Sequence, residues 1–146
     1  MIMKTTAKWI SENHYILNNS KYLNVAVTDP LSRDDNYELN CFDLVLMGFA
    51  GCVTAEIKKE INKHSIAIQD LVTDVSIEKV KMTHPNFAIY LECKVKSNAH
   101  TELLEECLEK AINNSMLGIL FEKAGIEVHR KIVALTPAQF AEMYTG

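Results

Sequence analysis

The reactive side chains in this sequence are its four cysteines, Cys41, Cys52, Cys93 and Cys107. They form no C-x-x-C and keep no regular spacing, a pattern that suits free thiols in a reducing cytosol rather than a disulfide framework. Cys93 falls on the apolar side of an alternating run and Cys107 on the apolar side of a helical one. Both therefore read as small core residues, because free cysteine is among the most buried residue types. Cys41 stands where a helix begins, and backbone N–H groups and the helix dipole favour a thiolate at such a place. Cys52 lies eleven residues further on, roughly 16 Å along a helix at about 1.5 Å per residue. Bridged cysteines have Cα atoms only about 4.4–6.8 Å apart, so an intact helix forbids a Cys41–Cys52 disulfide. On local surroundings alone Cys52 reads as a core thiol.

Other chemistries find less support. The five histidines (His14, His64, His84, His100 and His129) show no metal-ligand spacing, and neither metal nor cofactor is expected. No nucleophile elbow, P-loop or dinucleotide fingerprint occurs. Gly48-x-x-Gly51 falls inside a helix. Two helical glycines cost about 2 kcal/mol of propensity and call for a packing reason, namely close approach by a neighbouring element. Fifteen basic against 19 acidic residues leave a net charge of −4, which lacks the basic footprint of a nucleic-acid partner. The least charged stretch, Phe42 to Ala55, is too short to span a bilayer, and no secretory signal is visible at the N-terminus. No membrane association and a cytoplasmic location are expected.

The elements that must position these thiols follow from periodicity. Lys4–Ile10, His14–Leu17 and Tyr22–Val27 read as short strands separated by turn-formers. Asp29 to Asn36 reads as a solvated loop. Asn40 and Asp43 form a variant capping box opening a helix over Phe42–Lys63. The first half of that helix is apolar on every side, so it is expected to be buried all round, with a second subunit supplying part of the wall. Strict alternation over Asn86–Lys96 predicts a half-buried strand, paired through a turn at Thr83–Asn86 with a strand over Leu71–Met82. Thr101–Lys123 is helical with a break at Asn113-Asn114-Ser115. Gly125 ends it, Ile126–Leu135 is a last strand, and Thr136-Pro137 opens a terminal helix. The chain is thus one α+β domain over residues 1–146 with mainly antiparallel sheets.

The segment from Asn40 to Cys52 resembles the central helix of the OsmC/Ohr family, the osmotically inducible and organic hydroperoxide resistance proteins. The likeness continues around Ala7-Lys8-Trp9, in the strands flanking Pro85, and in Ser115 to Ala124. Its Leu-x-Glu-Lys-Ala ending and its Gly-Cys are similar to the OsmC-like subgroup. The resemblance implies an OsmC-like fold, with antiparallel sheets wrapped around long central helices in an intertwined homodimer. It also implies a peroxidatic cysteine, here Cys52, that attacks the O–O bond of a hydroperoxide and becomes a sulfenic acid. In the family a second cysteine at the break in the later helix closes a disulfide that a dithiol opens.

Here that second position is Ser115, which can donate a hydrogen bond but cannot form a disulfide. The family's helix-start proline is Cys41. An arginine activates the thiol in the hydroperoxide reductases, and neither Arg33 nor Arg130 can be assigned to that task from sequence. Asp43 matches the subgroup's acidic residue, yet it stands roughly 13 Å from Cys52 along the helix. It serves equally well as a capping residue. Two functions follow as expectations. One is a thiol-dependent organic hydroperoxide reductase with a single peroxidatic cysteine, returned by an external thiol reductant, in oxidative-stress defence. The other is a catalytically inactive dimer of the same fold that binds a small apolar ligand or serves as a scaffold. Met47, Phe49, Met116 and Phe121 are expected to line the site and to favour bulky organic peroxides.

Overall fold

The structure, a computed structural model, describes residues 3–11, 14–21, 23–28, 39–81 and 86–144. The expected loop at Asp29–Asn36, Arg33 and the turn preceding Asn86 lie outside the described residues. The chain divides into two compact units, Met1–Val45 and Leu46–Gly146.

In the first unit, β1 (Thr6–Ser11), β2 (His14–Asn18) and β3 (Asn24–Thr28) form an antiparallel sheet in that order. Asparagines shape its second turn. The Asn19 Oδ1 accepts from the backbone N–H groups of Lys21 and Leu23, and Ser20 takes a positive φ of 63°. Asn and Ser suit such turns because short polar side chains bond locally to the backbone. Thr28 then bridges in parallel to Asn40, which brings the chain to the start of α1 (Cys41–Lys63). The capping box expected there forms in both directions. Asn40 N–H donates to Asp43 Oδ2 at 2.8 Å, and Asp43 N–H donates to Asn40 Oδ1 at 3.0 Å.

In the second unit, β4 (Asp70–Lys81), β5 (Asn86–Lys96) and β6 (Glu127–Leu135) form a sheet with β5 in the middle. The expected β4–β5 pairing is antiparallel, with Val75 opposite Leu91 and Thr73 opposite Cys93. β6, by contrast, runs parallel to β5. Parallel neighbours need a long crossover, and α2 (Thr101–Asn114) with α3 (Met116–Lys123) provides it. A period-two pattern reports which side of a strand is buried and says nothing about its direction, so this pairing could not be read from β6 itself.

The core gathers Phe49, Val53, Ile57 and Ile61 of α1. It adds Ile89, Leu91, Cys93 and Val95 of β5, Leu104, Cys107, Leu108, Ala111 and Ile112 of α2, and Ile132 of β6. The alternation in β5 is therefore real: its odd-numbered residues from Ile89 to Val95 are all buried. At the end of α3 the Ile126 N–H reaches Phe121 O and the Gly125 N–H reaches Glu122 O. Gly125 has φ +73°, the left-handed residue that this helix ending requires. Finally α4 (Pro137–Tyr144) opens with a second reciprocal cap. Gln139 N–H donates to Thr136 Oγ1, and Thr136 N–H donates to Gln139 Oε1.

Candidate active site

The apolar half of α1 is not enclosed by the described residues. Phe49, Val53, Ile57 and Ile61 are fully buried, but Val45, Met47, Gly48, Gly51, Cys52 and Ala55 are exposed. At about 100° per residue, Gly48 and Ala55 fall on one line along the helix. Gly51 lies on one side of that line and Cys52 on the other. The expectation of burial on all sides is thus corrected for the single chain: the described residues cover the side carrying Phe49, Val53, Ile57 and Ile61 and leave bare the small residues together with Val45 and Met47. A Cβ built on Gly51 would meet nothing within 4 Å, and one on Gly48 meets only the Leu117 Cδ1 at 3.6 Å. Nothing in the described chain makes Gly51 a glycine for lack of space.

Cys52 sits on this bare surface and is the one exposed cysteine of the four. The reading of it as a core thiol is therefore overturned. Local apolarity misled because the residues around it on the helix surface are small, not because they pack. The neighbouring α3 adds exposed apolar side chains at Met116, Ile119 and Leu120. Of the expected lining, Met47 and Met116 are exposed, whereas Phe49 is wholly buried and meets Phe121 edge-on at a centroid distance of 5.0 Å. That pair serves the core, and Phe49 presents no surface to a ligand.

The other thiols are held differently. Cys93 is fully buried, and burial pushes its thiol up from the ordinary 9.0 to about 11, with the hydrogen bond to Thr73 pulling the other way. Its sulfur ends a chain of contacts. Cys93 Sγ meets Thr73 Oγ1 at 3.5 Å, which meets Thr54 Oγ1 at 2.7 Å, and that hydroxyl donates to Ala50 O at 2.7 Å. The chain ties α1 to β4 and β5 on the side facing away from Cys52. Cys107 is buried too, and its thiol is raised by burial and then by the charge of Glu60. Cys41 is half-buried, its sulfur 3.6 Å from the Thr28 carbonyl oxygen. A carbonyl accepts from a thiol and has no proton to offer a thiolate.

Ser115 stands at the break between α2 and α3 and is only 2% exposed. Its Oγ accepts from the Gly118 N–H at 2.9 Å and donates to Ile112 O at 3.2 Å. The side chain is an N-cap for α3 that also closes the last turn of α2. Gly118 completes the device. A Cβ there would fall 2.3 Å from Ile112 O and 2.6 Å from Ser115 Oγ, well inside contact distance. The expected break is present, but the lock was not read from the sequence, because it depends on Ile112 and Gly118 closing around the Ser115 hydroxyl. Asp43 is likewise occupied, by the reciprocal cap at the start of α1. Arg130 is engaged with Glu109, its Nε 3.0 Å from Oε2.

Among the described residues no cluster of three or more His, Cys, Asp or Glu side chains is placed to hold a metal ion. None of their helices is long and apolar enough to cross a membrane.

With that geometry in place, comparison with known proteins defines the class. Residues 34–131 match the OsmC-like protein family, and since this is well over half of the chain, the protein belongs to that family. Solved structures share the fold across nearly the whole chain. An OsmC-like protein from Mycoplasma pneumoniae has a TM-score of 0.78 at 12% identity, covering 92% of this chain and 98% of its own. An organic hydroperoxide resistance protein from Elizabethkingia anophelis has a TM-score of 0.72 at 16% identity, covering 92% and 97%. The organic hydroperoxide resistance protein OhrB of Bacillus subtilis has a TM-score of 0.70 at 16% identity, covering 91% and 98%. No curated protein matches the chain by sequence.

Proposed function

We propose that the protein is a thiol-dependent hydroperoxide reductase with Cys52 as its single peroxidatic residue. It acts as one OsmC-like domain in a cytoplasmic homodimer. The observation that carries this reading is the exposure of Cys52 on α1 while the other three sulfurs are buried or tied to a carbonyl. The name borne by two of the related structures, organic hydroperoxide resistance protein, supports the substrate class. The bare line of Gly48 and Ala55, with Gly51 beside it, supports the dimer, because small residues let a second helix approach closely and would leave Cys52 at the rim of that contact. The exposed Met47, Met116 and Leu120 favour an organic peroxide over hydrogen peroxide.

In the reaction the Cys52 thiolate attacks the terminal oxygen of the hydroperoxide. A bond forms between sulfur and oxygen, the O–O bond breaks, and the alkoxide leaves and takes up a proton as the alcohol. Ser115 and Asp43 contribute by shaping the two helix ends through their caps, not by contact with the peroxide. The competing reading, an inactive dimer holding a small apolar ligand, draws on Ser115 standing where the family carries its second cysteine.

Brief exposure to substoichiometric cumene hydroperoxide with a sulfenic-acid trap, followed by intact-mass spectrometry, separates the two. Trapping on the wild type that vanishes in Cys52→Ser is expected. An absence of adduct, or an adduct on Cys41 in both proteins, favours the inactive dimer. Cumene hydroperoxide is also expected to be consumed faster than hydrogen peroxide; an equal or higher rate on hydrogen peroxide counts against the apolar lining.

A further inference from the structure

We infer that Thr54 and Thr73 are positioning residues for Cys52: hydrogen bonds running from Thr73 through Thr54 to the Ala50 carbonyl pin the turn of α1 that bears the thiol to β4. This rests on the peroxidatic reading of Cys52 and adds two residues that touch neither the thiol nor the peroxide.

The turn calls for such a pin. Gly48 and Gly51 both stand within the four residues before Cys52, and two glycines weaken a helix by about 2 kcal/mol. Cys52 is exposed, and Gly48, Gly51 and Ala55 beside it offer no long side chain to hold it. The place of its sulfur is therefore set by the backbone from Ala50 to Thr54. Phe49 and Val53 bury that stretch in the core, but apolar contact is non-directional and lets a helix slide or rotate. A short hydrogen bond is directional and permits much less.

Proton counting gives the pin its direction. Thr54 Oγ1 lies 2.7 Å from Ala50 O and 2.7 Å from Thr73 Oγ1. A hydroxyl has one proton and a carbonyl can only accept, so Thr54 donates to Ala50 and accepts from Thr73. Thr73 is in turn seated against the sulfur of its register partner Cys93, 3.5 Å away on the central strand β5. In a helix the Ala50 carbonyl already accepts the Thr54 N–H, so Thr54 closes this turn with both backbone and side chain. Cys52 lies midway between the two residues, and at about 100° per residue its side chain points away from Thr54. What the pin controls is the orientation of Cys52. Attack on a peroxide needs the sulfur in line with the O–O bond, and misplacement there is costly in rate. Alkylation by a small reagent makes no comparable demand.

Thr54→Val keeps the side-chain shape and removes the hydroxyl, Thr54→Ser keeps the hydroxyl, and Thr73→Val removes the anchor while leaving α1 unaltered. Thr136→Ala, which loses a cap of α4, is the destabilised control. Each full-length protein, confirmed folded by circular dichroism, is mixed with one equivalent of cumene hydroperoxide, and the oxygen gained by Cys52 is followed by mass spectrometry. Both valine variants are expected to react about tenfold more slowly than the wild type, with Thr54→Ser and Thr136→Ala within about twofold of it. Alkylation of Cys52 by iodoacetamide is expected to match the wild type in all four. A wild-type rate in either valine variant, or a rate in Thr54→Ser or Thr136→Ala as low as theirs, overturns the inference and leaves Cys52 peroxidatic. Alkylation slowed in parallel overturns it too, since access to the thiol rather than its orientation would then have changed. Should one valine variant fail to fold, the other decides. If Cys52 of the wild type gains no oxygen, the inference and the peroxidatic reading fall together.

Discussion

The exposed surface of α1 around Cys52 and the buried joint between α2 and α3 at Ser115 are the two positions where the family resemblance expects sulfur. They have opposite physical character here. At the first, glycine, alanine and cysteine leave an open helix surface on which the thiol meets solvent. At the second, a hydroxyl closes a tight turn, with a glycine that a methyl group would push into the Ile112 carbonyl. The difference teaches that of these two positions only the first presents a reactive group to solvent, while the second is a buried lock between two helices. The way to break that comparison is to perturb each side and see whether activity or stability responds.

The largest effect on stability is expected from Gly118→Ala, which places a methyl group 2.3 Å from the Ile112 oxygen. Forced overpacking of this kind costs about 1–3 kcal/mol, and a value near the upper end is expected from denaturant unfolding. No loss of stability would mean that the joint is not tight.

Next comes the buried thiol that contrasts with Cys52. Because the Cys93 thiol is raised to about 11 in the folded chain, the folded state holds its proton more firmly than the unfolded chain does. The resulting stability is complete below pH about 9, the unfolded value, and is lost as pH rises toward 11. At about 1.4 kcal/mol per unit, the loss approaches about 2 kcal/mol. Denaturant midpoints measured at pH 8 and 10.5 should show it, and Cys93→Val should remove that component of the pH dependence.

Ser115→Ala is expected to cost about 1 kcal/mol, the usual loss of an N-cap, while peroxide consumption stays within about twofold. A large fall in rate with unchanged stability would show Ser115 to be part of the chemistry. The smallest effect is expected from Gly51→Ala. In an isolated helix this exchange stabilises by about 1 kcal/mol, and nothing among the described residues opposes the added methyl. If a second copy seats on this surface, the same change weakens the dimer, and sedimentation at falling concentration should reveal earlier dissociation.

Much of this could be read from the residues. The reciprocal cap at Asn40–Asp43, the helix start at Thr136-Pro137, the alternation of β5, the break at Asn113-Asn114-Ser115 and the role of Gly125 all follow from local hydrogen-bonding and steric rules. Those rules act over three or four residues and leave their mark in the sequence. What was not legible depends on distant neighbours. The parallel pairing of β6 with β5 is set by the path of the α2–α3 crossover. The exposure of Cys52 could not be inferred from an apolar stretch, because hydrophobicity reports a need for cover without saying which chain meets it. Phe49 was expected to line the site for the same reason: a helix apolar on every side does not announce which residues the core claims. At Ser115 the position was identified but the work it does was not, since that required seeing Ile112 and Gly118 close around one oxygen.

The central claim is that Cys52 is the chemical half of the site and Ser115 the structural half. The most direct measurement is single-turnover consumption of one equivalent of cumene hydroperoxide by the wild type, Cys52→Ser and Ser115→Ala, each confirmed folded. The account predicts that Ser115→Ala stays within about twofold of the wild type while Cys52→Ser consumes none above the protein-free rate. Consumption that persists in Cys52→Ser, or that disappears equally in Ser115→Ala, would contradict it.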